Sequence, residues 1–235
     1  MITSSQGVVL TKIKYSETSI ICKIFTKNHG LKTYLVRGAR KKKATLKSSL
    51  FHPLYRVDIS GYNKEGKDIN ILREINLQSF NQPINYQDPR KSAISVFFAE
   101  IIASTLPPDE PDNDIYSFVS SLSEDLEELN SNFAGFVVFK IWRLTRFLGI
   151  IPSLPLLGSN IYFDLKKGEF VGALSNEYPI ELLQSNEIKF CLTSLDFSNF
   201  KPSARALQIV LDYLKYHTNF FKTPKSLEVL KAVFN

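Results

Sequence analysis

The first 80 residues alternate between apolar and polar positions in short runs that polar turns separate. In the first run, Val9, Thr11 and Ile13 fall on one side, whereas Lys12 and Lys14 fall on the other. A period of two with β-branched residues predicts a half-buried β-strand. The five predicted strands are residues 5–14, 19–25, 31–36, 55–60 and 68–75.

Five short strands within about 75 residues, with no long helix between them, predict a small antiparallel barrel or sandwich. Closing five strands into a barrel removes the exposed sheet edges, and this is the construction of an OB-fold. An OB-fold commonly carries a connecting segment between its third and fourth strands, and residues 38–50 occupy that place.

From residue 90 onward the apolar positions recur every three to four residues, which predicts amphipathic helices. Residues 81–89 are polar with two prolines and predict a linker. The predicted helices are residues 90–105, 115–130, 133–148, 186–195, 203–220 and 226–234, and a small hairpin is predicted at 161–171. We therefore expect an α+β chain, with an N-terminal five-stranded OB-fold barrel (1–80) and a mainly α-helical C-terminal domain (81–235).

Charge is distributed unevenly between these two parts. The whole chain has a net charge of +6. Residues 1–80 carry 15 Lys and Arg against 5 Asp and Glu, whereas residues 81–235 carry 14 against 18. A strongly basic first part predicts that it binds a polyanion.

The densest positive charge is the stretch RGARKKKATLK, residues 37–47, which we call the basic loop. Further lysines lie on the first three predicted strands and would add to the field on phosphates, Lys32 among them. A solvated charge run without function is the competing interpretation of such a loop. Aromatic residues also lie in this part, and Tyr34 and Tyr55 either stack on bases or fill the barrel.

The third predicted helix of the second part carries Lys140, Arg143 and Arg146 at three-residue spacing on an otherwise apolar segment. They form either a polar edge that reaches solvent or a cationic clamp beside an apolar pocket of Trp142, Phe147 and Leu148. The clamp would suit an acidic peptide that ends in a hydrophobic residue.

Motifs for catalysis are missing from the sequence. There is no Gly-rich nucleotide loop and no GxSxG elbow, and the three histidines are scattered. Two distant cysteines, Cys22 and Cys191, cannot build a disulfide framework or a Cys-rich zinc site. The N-terminus lacks a signal-peptide pattern and no apolar run is long enough to span a membrane. These features favour a cytoplasmic binding protein over an enzyme and predict no cofactor.

The sequence resembles the bacterial DNA repair and recombination mediator family RecO over essentially its whole length. The resemblance is carried by GVVLTKIKYSETSIICKIFTKNHGLKTYLVRGARKKKATLKSSLFHPL, FFAEIIASTLPPDEPDNDIYSFV, WRLTRFLGIIPSL and KTPKSLEVLKAV. It implies an OB-fold followed by a helical domain, binding of single- and double-stranded DNA, and annealing of complementary strands. It also implies the partner RecR, loading of the RecA recombinase, and recognition of the acidic C-terminal tail of single-stranded DNA-binding protein.

The resemblance assigns residues to two sites. Its DNA-binding loop matches Arg37, Arg40, Lys41, Lys42, Lys43 and Lys47, and the helix where the tail would dock holds Lys140, Arg143 and Arg146. DNA binding implies association with the nucleoid. Many relatives carry a four-cysteine zinc site where this chain reads LLGSNIYFDLKKGEFVGA without cysteine. We therefore expect no zinc, and a hairpin held instead by packing of Ile161, Phe163, Phe170 and Val171.

Two other functions remain open on the sequence alone. The barrel would equally suit RNA, with the helical part as a protein adaptor. A hydrolase whose site assembles from dispersed residues is the third possibility, since catalytic residues need not be close in sequence.

Overall fold

The computed structural model describes residues 2–41, 44, 46–63, 67–78, 88–155 and 161–234. By contact density, the chain forms two compact units. Unit 1 comprises Met1–Glu128 together with Pro224–Asn235, and unit 2 comprises Leu129–Thr223.

Unit 1 is built on a closed five-stranded barrel with the strand order β1-β2-β3-β5-β4. The strands are β1 (Ile2–Lys14), β2 (Ile20–Thr26), β3 (Gly30–Val36), β4 (Arg56–Tyr62) and β5 (Asn70–Leu77). All pairs are antiparallel except β3 with β5, where Tyr34 lies opposite Asn70. The long strand β1 pairs with β4 through its first half and with β2 through its second, and this closes the barrel. The predicted OB-fold barrel and the α+β class are confirmed.

Alternation along the strands fills the barrel, but within β1 the predicted faces are wrong. A bulge between Val9 and Thr11 leaves Val9 in the core and Ile13, predicted on the same side, exposed. The interior side chains are apolar and almost fully buried, and include Val9, Ile24, Val36 and Ile59. Phe51, which follows a short 3₁₀ turn at Ser48–Leu50, enters the same core from the segment between β3 and β4. Burial of a side chain of this size contributes about 1.5–3 kcal/mol.

Three helices belong to the same unit as the barrel: α1 (Pro89–Thr105), α2 (Asn113–Glu128) and α6 (Leu227–Phe234). Helix α1 packs on β1 and on α6. Phe25 of β2 contacts Tyr116 of α2, with ring centroids 6.1 Å apart. Ser226, just before α6, donates from its N–H and its Oγ to Glu100 Oε2 of α1, at 2.9 and 2.7 Å. The predicted linker at residues 81–89 lies almost wholly outside the described residues, and the domain boundary near residue 80 stays a prediction.

Unit 2 contains α3 (Phe133–Phe147), the hairpin strands β6 (Tyr162–Asp164) and β7 (Glu169–Val171), α4 (Leu182–Thr193) and α5 (Ala206–His217). Its core is aromatic: the ring of Trp142 lies 6.0 Å from Phe163 and 5.1 Å from Tyr213. Asn132 begins α3, accepts from the N–H of Gly135, and donates through its amide to the carbonyl of Phe197.

The predicted hairpin exists and is held mainly by its two aromatic residues. Phe163 and Phe170 are buried, with ring centroids 5.2 Å apart. Ile161 is partly exposed, and its N–H donates to the carbonyl of Val171 at 3.1 Å, which extends the hairpin by one residue pair. The fifth helix begins later than the predicted residue 203: Ser203 Oγ donates to Glu187 Oε2 at 2.9 Å, and α5 begins after Arg205.

Candidate nucleic-acid interface

The basic loop lies at one end of the barrel, against the turn between β1 and β2. The backbone N–H of Arg40 donates to the carbonyl of Thr18 at 3.1 Å. Its guanidinium Nη1 donates to the carbonyls of Ser16 and Glu17, at 3.1 and 3.0 Å. Arg40 therefore joins the two loops that form this end of the barrel.

Contacts with the barrel core hold the start of the basic loop in place. Gly38 has a φ of +71°, which favours glycine over residues with a Cβ. The next residue, Ala39, is buried in the barrel core, and its carbonyl accepts from the N–H of Ser48 at 3.2 Å. Leu46 packs against the same core. Buried small and apolar residues thus hold a loop whose charged side chains, where described, are exposed.

The described cations of the basic loop are exposed. They are Arg37, Arg40, Lys41 and Lys47, and Lys14 at the end of β1 is exposed beside them. Among the ion pairs formed between described residues, none involves these five side chains. Lys42 and Lys43 lie outside the described residues. Exposed cations without carboxylate partners are available to phosphates, and each contact releases counterions from a nucleic acid.

Lys12 lies beneath this surface rather than on it. Its ammonium Nζ donates to the carbonyl of Ser48 at 3.0 Å. Partial burial lowers the pKa of Lys12 from its ordinary value. This lysine therefore links β1 to the segment between β3 and β4, and its positive charge adds to the field at the barrel end.

Lys32 is placed differently from the other predicted contacts. Its side chain is only 9% exposed, and its Nζ lies 2.8 Å from Asp109 Oδ1. Asp109 belongs to the acidic segment (residues 106–114), whose backbone follows β3: Leu31 bridges to Pro108, and the N–H of Asp109 donates to the carbonyl of Leu31. A carboxylate therefore already engages the charge of Lys32, which argues against a phosphate contact at this residue.

The two candidate stacking tyrosines do not present open rings. Tyr34 is fully buried inside the barrel, and burial raises its pKa to about 12. Tyr34 therefore fills the core, as the alternative interpretation has it. Tyr55 is partly buried against the same core, and its ring packs edge-on to His52 at 5.2 Å. Among the described residues of this unit, Tyr15 and Tyr62 have exposed rings instead.

The three predicted tail-binding cations lie together on α3 of unit 2. Lys140 Nζ lies over the ring of Phe136 at 5.7 Å, and Arg143 Cζ lies over the ring of Phe139 at 6.0 Å. Lys140 and Arg143 are half-buried, whereas Arg146, one turn further along, is exposed.

The apolar residues expected beside these cations are placed differently from one another. Trp142 is buried in the core of unit 2 and cannot line an open pocket, whereas Phe147 and Leu148 are half-buried, so the pocket itself stays a prediction. Phe197 adds an apolar surface beside α3, since its ring lies 5.5 Å from Phe136 and 5.8 Å from Phe139, and it remains half-exposed.

Among the described residues, no group of three or more His, Cys, Asp or Glu side chains is arranged to hold a metal ion. Both cysteines are buried, and burial raises the pKa of the Cys22 thiol to about 12. No helix of the described part is long and apolar enough to cross a membrane.

Comparison with known proteins agrees with this architecture. Residues 1–80, which contain the barrel and the basic loop, match the family model "Recombination protein O N terminal". The DNA repair protein RecO of Bacteroides fragilis is 31% identical, with both chains covered completely. Those of Flavobacterium psychrophilum and Porphyromonas gingivalis are each 28% identical, covering 98% and 100% of both chains. The chain belongs to the RecO family.

Proposed function

We propose that this chain is a DNA-binding recombination mediator that acts in DNA repair. The observation that carries the proposal is the group of exposed, unpaired cations at the loop end of an OB-fold barrel, held in place by Arg40. Membership in a family of DNA repair proteins supports it. In this proposal the chain makes and breaks no covalent bond, and it acts in the cytoplasm, on the nucleoid.

Strand annealing follows from the charge of the barrel end. Two complementary single strands repel each other through their phosphates, and this repulsion is screened over about 10 Å at ordinary ionic strength. Arg37, Lys41 and Lys47 are exposed on one loop, so they neutralise phosphates of bound strands locally. Neutralisation lets the bases of two strands approach and pair.

We also propose that RecR is a partner and that, together with it, the chain helps to load the RecA recombinase onto DNA coated by single-stranded DNA-binding protein. The acidic C-terminal tail of that protein would dock on α3. Lys140, Arg143 and Arg146 supply positive charge for its carboxylates, and half-exposed Phe197 supplies an apolar contact for a terminal hydrophobic residue. Arg143 suits a carboxylate well because its guanidinium can donate two parallel hydrogen bonds.

Annealing is tested with two complementary labelled oligonucleotides. Replacement of Arg40, Lys41, Lys42 and Lys43 by Ala is expected to slow protein-dependent annealing strongly, because the bound strands are no longer neutralised. A matched control replaces four exposed lysines of unit 2, namely Lys189, Lys201, Lys215 and Lys222, which changes the net charge equally. Equal annealing rates for the loop variant and the wild type would refute the proposal.

Tail binding is tested with an acidic peptide that ends in Phe. The wild type should bind it, and Arg143→Ala and Arg146→Ala should weaken binding because each removes a cation from the dock. The same peptide with Phe replaced by Ser controls for the apolar contact. Binding that is unaffected by both substitutions would place the tail elsewhere.

RNA remains the competing ligand, although the names of the relatives favour DNA. Competition between single-stranded DNA and RNA of equal length and sequence separates the two. A clear preference for RNA would replace this proposal by an RNA-binding adaptor function.

A further inference from the structure

Asn132, the residue before α3, joins a loop from much later in the chain to the start of that helix. Its amide Nδ2 donates to three backbone carbonyls at 2.9, 3.3 and 2.9 Å, those of Phe197, Ser198 and Phe200. Its Oδ1 accepts from the N–H of Gly135 at 3.2 Å and so caps the helix. One side chain therefore holds both the first turn of α3 and the loop of residues 194–200, which we call the aromatic loop.

The contacts and the backbone of Asn132 both call for asparagine. Its φ is +52°, in the left-handed region that asparagine and aspartate tolerate better than most residues with a Cβ. Its surroundings need an acceptor on one side and a donor on the other, and a carboxamide supplies both. A reversed amide would turn its oxygen toward three carbonyl oxygens, so these partners fix the orientation of the side chain.

The aromatic loop also has contacts of its own. Asp196 Oδ1 accepts from the N–H and the Oγ of Ser198, at 3.0 and 2.8 Å. The ring of Phe200 is buried and stacks on Phe190 of α4, with centroids 5.2 Å apart and an angle of 12° between the planes. These contacts shape the loop and attach its end to α4, and the hydrogen bonds from Asn132 attach it to the start of α3.

The aromatic loop places Phe197 beside the cations of α3. The ring of Phe197 lies 5.5 Å from Phe136 and 5.8 Å from Phe139. Lys140 Nζ and Arg143 Cζ lie over those same two rings, at 5.7 and 6.0 Å. Phe136 and Phe139 are buried, whereas Phe197 is half-exposed. The apolar surface that Phe197 adds next to these cations therefore depends on where the loop is held.

We propose that Asn132 is a positioning residue that makes the α3 dock prefer an acidic peptide with a hydrophobic last residue. The inference rests on the proposed function, in which such a tail docks on α3. Lys140, Arg143 and Arg146 attract carboxylates whatever the last residue of the peptide is. An apolar last residue needs a fixed surface, because ordering a mobile loop on binding opposes affinity. Asn132 holds that surface in place before the peptide arrives.

The test replaces the amide by a carboxylate of nearly the same shape. Asn132→Asp keeps an acceptor for the N–H of Gly135 and suits the left-handed backbone, but it turns an oxygen toward the three carbonyls and so releases the aromatic loop. Affinity is measured for an acidic peptide that ends in Phe and for the same peptide ending in Ser. The wild type should prefer the Phe peptide by about tenfold, and Asn132→Asp should lose most of that preference.

Two further variants separate the position of the loop from charge and folding. Asn199→Asp adds the same charge at an exposed position of the same loop and should keep the wild-type preference. Asn132→Gly accepts the same φ and adds no charge; it should lose the preference and bind the Ser peptide as the wild type does. In Asn132→Asp, backbone hydrogen exchange should become faster in the aromatic loop and stay unchanged in α3.

Three results would overturn the inference. The first is that either Asn132 variant keeps the preference for the Phe peptide. The second is that Asn132→Gly weakens both peptides equally, and the third is that Asn132→Asp speeds hydrogen exchange throughout α3, since either would make Asn132 a residue of the fold alone. If the wild type binds neither peptide, the tail dock of the proposed function fails, and the inference fails with it.

Discussion

Removal of three exposed cations from the basic loop gives the sharpest test of how this barrel binds DNA. Arg37, Lys41 and Lys47 form no ion pair with another described residue, and each is exposed. Their replacement by Ala therefore removes charge without leaving a buried partner unsatisfied. Arg40 is kept in this variant, because its contacts to the carbonyls of Ser16 and Glu17 hold the loop in place.

The magnitude follows from counterion release. Each phosphate contact on a single strand contributes about 0.7 to the slope of log affinity against log salt. Loss of three contacts should therefore flatten that slope by about 2. At about 0.1 M salt the affinity should fall by roughly 100-fold, and towards 1 M salt the variant and the wild type should converge.

The measurement is fluorescence anisotropy of a labelled single-stranded oligonucleotide over a range of salt concentrations. A charge-matched control carries Lys189→Ala, Lys201→Ala and Lys215→Ala, all exposed in unit 2. It should keep the wild-type slope, because a lowered net charge alone forms and breaks no phosphate contact. If the loop variant also kept the wild-type slope, the basic loop would not be the phosphate-binding surface.

Three further predictions concern stability. Asp109→Asn removes the partner of the nearly buried Lys32 ammonium and should lower the free energy of unfolding in urea by about 1–2 kcal/mol; the loss is limited because Asp109 itself is half-exposed. Adding Lys32→Met should recover much of this loss, because it removes the unpaired charge. If Asp109→Asn proved neutral, the pair would not contribute. Gly30→Ala should lower the free energy of unfolding by at least about 2 kcal/mol, since φ is +66° and the new Cβ would meet backbone atoms of the acidic segment at 2.4 Å. Gly149→Ala, at φ +70° with free space around it, should lower it less. Equal losses for the two variants would contradict the role of the contact with the acidic segment. The buried Cys22 thiol has its pKa raised to about 12 from 9.0, so it stays protonated in the folded protein while the thiol of the unfolded chain ionises. The free energy of unfolding should therefore fall as pH rises from about 9 towards 12, and it should fall less steeply in Cys22→Ala. An equal pH dependence in the variant would be inconsistent with this linkage.

Local patterns predicted most of the elements. The alternation of Val9, Thr11 and Ile13 indicated a strand at β1, although a bulge puts Val9 and Ile13 on opposite faces. The spacing of apolar residues indicated the six helices of the described residues, because both signals depend on neighbours along the chain. The basic loop was also found from sequence, since it occupies the segment between the third and fourth strands.

The sequence did not predict contacts between residues that lie far apart along the chain. Nothing near Lys32 indicates that Asp109, more than 70 positions away, occupies its ammonium. Tyr34 is an aromatic residue on a strand, as a residue that stacks on bases would be, and only the closed barrel shows that its side chain lies in the core.

Helix α6 completes unit 1 with residues that follow unit 2 in the chain. During synthesis, the barrel emerges from the ribosome first. The contact between Ser226 and Glu100 that completes unit 1 can form only after residues 129–223 have been made. While those residues, about a hundred, are being translated, the side of α1 that packs on α6 is therefore uncovered. A stalled or truncated product would carry the basic loop on an incompletely packed unit, a species for degradation or aggregation rather than for repair.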